Sequence, residues 1–150
     1  MKVRVSIILG MILSFWSGVV YATTFTVTNN LNEGEGSLRW AVEQSNAEEG
    51  NSKIVFDLAA PSDTITLTEL ITVCSSVELD GTIAGGKVTI QGPEIETLIH
   101  CVGVPTGGNF SLTSVNFGKW KSSTSTENNI AVMLDQIKEG GSANFSMNDV

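Results

Sequence analysis

From Lys53 onward the chain is cut into apolar-alternating runs of about three to six residues, each stopped by Gly, Asn, Asp or Pro. The runs are "KIVFDL", "DTITLT", "KVTIQG", "TLIHCVG", "NFSLTSVNFG", "NIAVMLD" and "ANFSMNDV", with "TTFTVTNN" ahead of them near the front. None reaches the length of a bundle helix, and Thr, Ser and Val, which suit a pleated surface, dominate them. Ile54 to Phe56 is continuously apolar, as in a strand covered on both sides, and Ile65 and Leu67 share one face of the next run. Ile71, Val73, Val77 and Leu79 keep the alternation, interrupted at Ser75, up to the turn "DGTIAGG". The pattern predicts an all-β chain.

One passage breaks it. In "GSLRWAVEQSNAEEG", Leu38, Ala41, Val42 and Ser45 recur at helical spacing and make one narrow apolar stripe. Ser37 stands where an N-cap belongs, its hydroxyl placed to accept a first-turn N–H. Arg39 and Glu43 lie one turn apart on the outer side, and Gly50 is the expected C-terminal breaker. The spacing predicts a helix of about 9 to 11 residues, too short to hold alone, so it must lie on something apolar.

There is a weak internal echo. "NFSLTSV" at Asn109 recurs as "NFSMNDV" at Asn144, 35 residues on. A further step of 35 back reaches "CSSVELD" at Cys74 and aligns only Val77 with Leu112 and Met147. A loose repeat of short strands points to a solenoid of stacked coils, while a β-sandwich fits the same runs, and periodicity does not separate the two. "NFSMNDV" stops inside a strand-like run with no polar cap. The expectation is a longer architecture, a truncated gene, or a last coil whose edge pairs with further coils or another chain.

The front of the chain, "MKVRVSIILGMILSFWSGVVYA", reads as a signal peptide over residues 1–22: Lys2 and Arg4, an uncharged apolar run, then Val20 and Ala22 before a cut at Thr23. A membrane anchor would need about 20 apolar residues, and this run is short for that. No later segment is apolar enough to span a bilayer, so the expected product is secreted or at the cell surface (periplasm or outer membrane in a Gram-negative cell). Residues 23–150 suffice for a single domain and carry 6 basic against 16 acidic residues, a formal charge of −10. Such a surface repels nucleic acid and anionic lipid. Cys74 and Cys101 could close a 28-residue loop by a disulfide, stabilising by about 3–4 kcal/mol in the chain-entropy model; each serves equally as a small buried hydrophobe.

"FTVTNNLNEGEGSLRWAVEQSNAEEGNSKIVFDL", followed by "DTITLTELITVCSSVELDG" and "VTIQG", resembles the start of many bacterial exported right-handed parallel β-helix proteins. This is the CSLREA-type region, which recurs in polymorphic outer-membrane-protein-like, autotransporter-like and pectate-lyase-like chains. Gly36, Ser37, Leu38, Arg39, Ala41, Asn46, Ile54, Phe56, Ile65, Leu67, Asp80 and Gly81 fill its pattern. Trp40 and Val42 replace commoner residues, and Cys74 and Cys101 fall outside the pattern. The likeness covers Thr24 to Gly92 well and weakens towards Gly118. It implies a right-handed parallel β-helix, represented by its first coils and a short N-terminal capping α-helix. Leu38, Ala41 and Val42 would plug the open end of the core, Ser37 would hold the helix entry, and Arg39 would be free to pair with a carboxylate at the rim.

The same front end precedes adhesins and lyases alike, so it says little about activity. His100, the sole histidine, adjoins Cys101, and neighbouring strand residues point to opposite faces. There is no Gly-x-Ser-x-Gly elbow, and the clustered Asp, Gly-His-Gly and Arg-x-Lys of polygalacturonase-like enzymes are missing. Asp57, Asp63 and Asp80 sit in separate turns, and neither a zinc set, a calcium loop nor a phosphate loop is spelled out. Glu33/Glu35 and Glu94/Glu96 read as solvated charge. "NFS" at Asn109 and Asn144 are formal glycosylation sequons. Trp120, between Lys119 and Lys121, could stack on a sugar ring or pack back on its own coil. The expectation is a non-catalytic exported module of a surface or secreted scaffold, without cofactor or metal, acting in adhesion to a host or cell-surface ligand or in carbohydrate contact. The alternative is the front of a β-helix polysaccharide lyase or hydrolase whose active site lies outside this chain.

Overall fold

The computed structural model describes residues 22–48, 50–92, 97–102, 107–120, 132–135 and 144–150. Residues 1–21, with them most of the expected signal peptide, as well as Glu94, Glu96 and the side chain of Trp120 lie outside the described parts. Within them the chain is mostly strand, with one short helix. In order they are β1 (Thr23–Val27), α1 (Leu38–Ala47), β2 (Asn51–Phe56), β3 (Thr64–Thr66), β4 (Ile71–Val73), β5 (Ser76–Asp80), β6 (Thr82–Ile83), β7 (Gly86–Gly92), β8 (Ile99–Val102), β9 (Asn109–Thr113), β10 (Val115–Trp120), β11 (Val132–Asp135) and β12 (Asn144–Asn148). No helix among the described residues is long and apolar enough to cross a membrane.

The strands form three parallel sheets: β1-β2-β5-β9-β12, β3-β7-β10, and β4-β8-β11, with the short β6 antiparallel to β7. From β2 the chain visits the three sheets in a fixed cyclic order, returning to the first at β5, β9 and β12. The register stacks like on like. Phe25, Ile54, Leu79 and Leu112 form one inward column of the first sheet, and Met147, next in register, is 49% exposed. Ile65, Ile90 and Phe117 do so in the second, and Ile71, Ile99 and Val132 share a column in the third. The inward residues alternate with exposed or half-buried ones along β2, β7 and β9, so each of these strands turns one face to a shared core. Burying a Leu or Ile of this kind contributes about 1.5–3 kcal/mol.

Two corners decide the geometry. The alternation from Ile71 to Leu79 is not one strand: it turns at Cys74 and Ser75 and passes from the third sheet to the first. The other corner, at Gly81, packs against Ser114 of the next circuit so closely that an added Cβ would collide with the Ser114 carbonyl and come within 2.7 Å of Val88 and 2.8 Å of Val115. The 35-residue echo holds between β9 and β12, where Asn144 pairs with Asn109. One step earlier the pairing is Val77 with Phe110, 33 residues apart, so Val77 does not align with Leu112.

Helix α1 lies on β1, β2 and β4, burying Leu38, Ala41, Val42 and Ser45 against them. The Ser37 hydroxyl accepts the Trp40 N–H at 3.2 Å. The helix stops at Glu48, whose N–H reaches the Ser45 carbonyl, ahead of the expected breaker Gly50; with φ of 126°, Gly50 instead leads the chain into β2.

Candidate functional site

The loop and helix between β1 and β2 end the stack with side chains standing in for strands. Asn46 Nδ2 donates to the Thr72 carbonyl of β4 and its Oδ1 accepts the Cys74 N–H, both at 2.9 Å. Asn30 Nδ2 donates to the Thr64 carbonyl at the start of β3, and Asn32 Oδ1 accepts the Thr68 N–H at 2.9 Å. Arg39 donates to the carbonyls of Asn32, Leu70 and Glu69 at 3.3, 3.0 and 2.8 Å. The expected carboxylate partner of Arg39 is thus replaced by three carbonyls. Its forked donors suit the loop between β3 and β4, where the carbonyls of consecutive residues Glu69 and Leu70 both face it. Below them the Ser45 and Ser75 hydroxyls share a buried hydrogen bond of 2.8 Å.

The outer face of the first sheet carries the other polar assembly. The parallel register aligns Asn51, Ser76, Asn109 and Asn144 in one row across the strand starts, and Lys53, Glu78, Ser111 and Ser146 in the next. These residues line an open groove of about 340 Å3. Within it the Ser76 hydroxyl accepts the Asn109 N–H at 2.8 Å, and Asn144 Nδ2 donates to Asn109 Oδ1 at 3.0 Å. Lys53 bridges Glu78 at 2.7 Å and Asp80 at 3.3 Å. The hydrogen bond to Glu78 raises the Lys53 pKa, outweighing its desolvation. Asp80 is held below the usual carboxylate value, chiefly by the Thr82 hydroxyl and further by the Thr82 N–H and Lys53. Both sequon asparagines stand in this groove. The polar half of each strand alternation was the signal for it, but only the register brings the rows together.

The remaining candidates lie apart. Cys74 is exposed and Cys101 buried, and both are free thiols. Val73 pairs with Cys101 in register, so Cys74, one residue further, sits on the other side of the pleat and no disulfide forms. Burial pushes the Cys101 thiol up to about 12. His100 faces outward in register with Thr72, on the opposite face from Cys101. Among the described residues no three His, Cys, Asp or Glu side chains gather where a metal ion could be held. Leu38, Ala41 and Val42 share the buried face of α1, as the stripe required, with Ser37 and Arg39 fixing its entry. No family model, curated protein or solved structure matches the chain.

Proposed function

We propose that the chain is an exported right-handed parallel β-helix module, closed at its N-terminal end by α1 and its loop, that acts as a non-catalytic scaffold contacting carbohydrate at a secreted or cell-surface location. The cyclic order of three parallel sheets supports the β-helix reading, and parallel crossovers are right-handed in about 98% of cases. The observation that carries the function is the groove on the outer face of the first sheet. Amides and hydroxyls from four successive rungs, with Val77 and Phe110 among them, line a groove of about 340 Å3 there, and this mix of polar groups and apolar surface suits the hydroxyls and C–H faces of a sugar chain. The aligned Asn and Ser side chains repeat along the stack as the units of a polymer do.

Electrophoresis of the purified chain through gels containing soluble polysaccharides tests this reading. Retardation by at least one polysaccharide, relieved by Asn109→Ala and accompanied by no release of reducing ends or unsaturated sugars, is the expected result. Release of such products would move the chain to the lyase or hydrolase class. Unretarded migration through neutral, amino and acidic polysaccharides would sink carbohydrate contact.

A further inference from the structure

Beside β1, with no lining residue in common with that groove, Thr26, Thr28, Glu35, Gly36 and Trp40 line an open cavity of about 380 Å3. Its walls are fixed in place. Phe25 and the Trp40 indole meet at near right angles, ring centres 6.3 Å apart at 88°, and the backbone N–H of Trp40 donates to the Ser37 hydroxyl at the helix entry. On the loop, the N–H groups of Thr28 and Asn29 both donate to the Gly36 carbonyl at 2.9 and 3.2 Å, and Asn29 Nδ2 donates to the Glu35 carbonyl at 2.9 Å. Gly36, with φ of 79°, has no room for a side chain, since a Cβ there would collide with Thr28 Oγ1. A cavity this preorganised loses little freedom when it takes a ligand.

The lining chemistry selects the ligand. A half-buried indole offers an apolar plate. Two exposed threonine hydroxyls donate and accept, and the Glu35 carboxylate accepts only. The matching ligand has one apolar face and a rim of hydroxyl or amino donors, which describes a pyranose ring. Among the described residues no basic side chain lines the cavity, and Arg39, one residue from Trp40, is engaged with three carbonyls. An acidic sugar would meet the Glu35 carboxylate without a counter-charge. We propose that this cavity is a sugar-binding site that takes a neutral or amino-sugar ring stacked on Trp40 and rejects uronic acids. It is separate from the sheet groove and stands or falls independently of it.

Calorimetric titration of the purified chain with cellotetraose, a glucosamine tetramer and tetragalacturonate tests the site. Binding of one or both of the first two, and none of the third, is expected. Trp40→Ala should weaken that binding about tenfold or more, and Leu31→Ser, at an exposed position that lines neither the cavity nor the sheet groove, should leave it unchanged. Because Trp40 also packs on Phe25, the exposed Glu35 gives a second variant: Glu35→Lys should admit tetragalacturonate and weaken the glucosamine tetramer. Equal binding of all three sugars, binding of none, or indifference to both Trp40→Ala and Glu35→Lys would overturn the proposal.

Discussion

Asn46 pairs with Thr72 as a neighbouring strand would: its Nδ2 fills the Thr72 carbonyl, and its Oδ1 takes the next free donor on that edge, the Cys74 N–H. A bare edge is a template for another chain, and a side-chain amide is the one group that copies both halves of a peptide bond. Asn46→Ala should cost about 1–2 kcal/mol, the sum of two hydrogen bonds at a partly wet edge. Asn46→Asp keeps the acceptor for Cys74 but sets a carboxylate against the Thr72 carbonyl, so it should be no better than alanine. Urea unfolding midpoints of the two variants check this, and wild-type midpoints in both would refute the edge-pairing role.

Ser45 and Ser75 bury their hydroxyls against each other at 2.8 Å between the helix and the corner after β4. Removing one partner strands the other, at about 1–3 kcal/mol, whereas removing both leaves nothing unpaired. A double-mutant cycle of Ser45→Ala and Ser75→Ala should therefore show two costly single changes and a double variant close to wild type. Additive losses would mean that the pair is not coupled.

The two thiols should separate cleanly under a thiol reagent. Cys74 is exposed and reacts in the native chain, while Cys101, buried in β8, waits for denaturant. Burial raises the folded-state Cys101 pKa from 9.0 to about 12. The unfolded thiol ionises first as pH rises, so the contribution is intact below 9.0 and is lost through the range up to about 12. Cys101→Ala should flatten the decline in stability across that alkaline window, seen in melting temperature against pH.

Asp80 should give an acid-side slope of the opposite sense. Its folded pKa is depressed by Thr82 and Lys53, so its contribution is present above the unfolded value of 3.8 and disappears as pH falls through the folded one. Asp80→Asn should therefore lower stability at neutral pH and reduce its fall on acidification. An unchanged acid limb in urea unfolding would count against this carboxylate.

The apolar half of the architecture was legible because burial imposes period. The stripe Leu38, Ala41, Val42 and Ser45 gave the helix and its buried face, and strand alternation gave the inward residues. The misplaced rung shows why this was robust: Val77 meets Phe110 and not Leu112, a shift of two residues, and a shift of two leaves every side chain on its own face. The corner at Cys74 and Ser75 was harder, since Ile71 to Leu79 keeps its alternation while changing sheets. Illegible altogether were the edge caps. Asn30 and Asn32 sit in a polar stretch with no period, Asn46 is a polar residue in the last turn of α1, and their partners lie 34, 36, and 26 or 28 residues away. Arg39 was misread because a charge suggests a countercharge, while the local supply was three carbonyls.

Leu38, at 1% exposure, is buried where α1 packs on β1, β2 and β4, the contact on which the proposed cap depends. Leu38→Asp places an unpaired carboxylate against that core and should cost more than about 4 kcal/mol. Leu31→Asp, at a position 61% exposed in the same segment, is the control. Circular dichroism through a urea titration should find the Leu38→Asp chain unfolded or aggregated without denaturant, and Leu31→Asp unfolding at the wild-type midpoint. A Leu38→Asp chain that stays monomeric and unfolds with the wild-type midpoint would contradict the account.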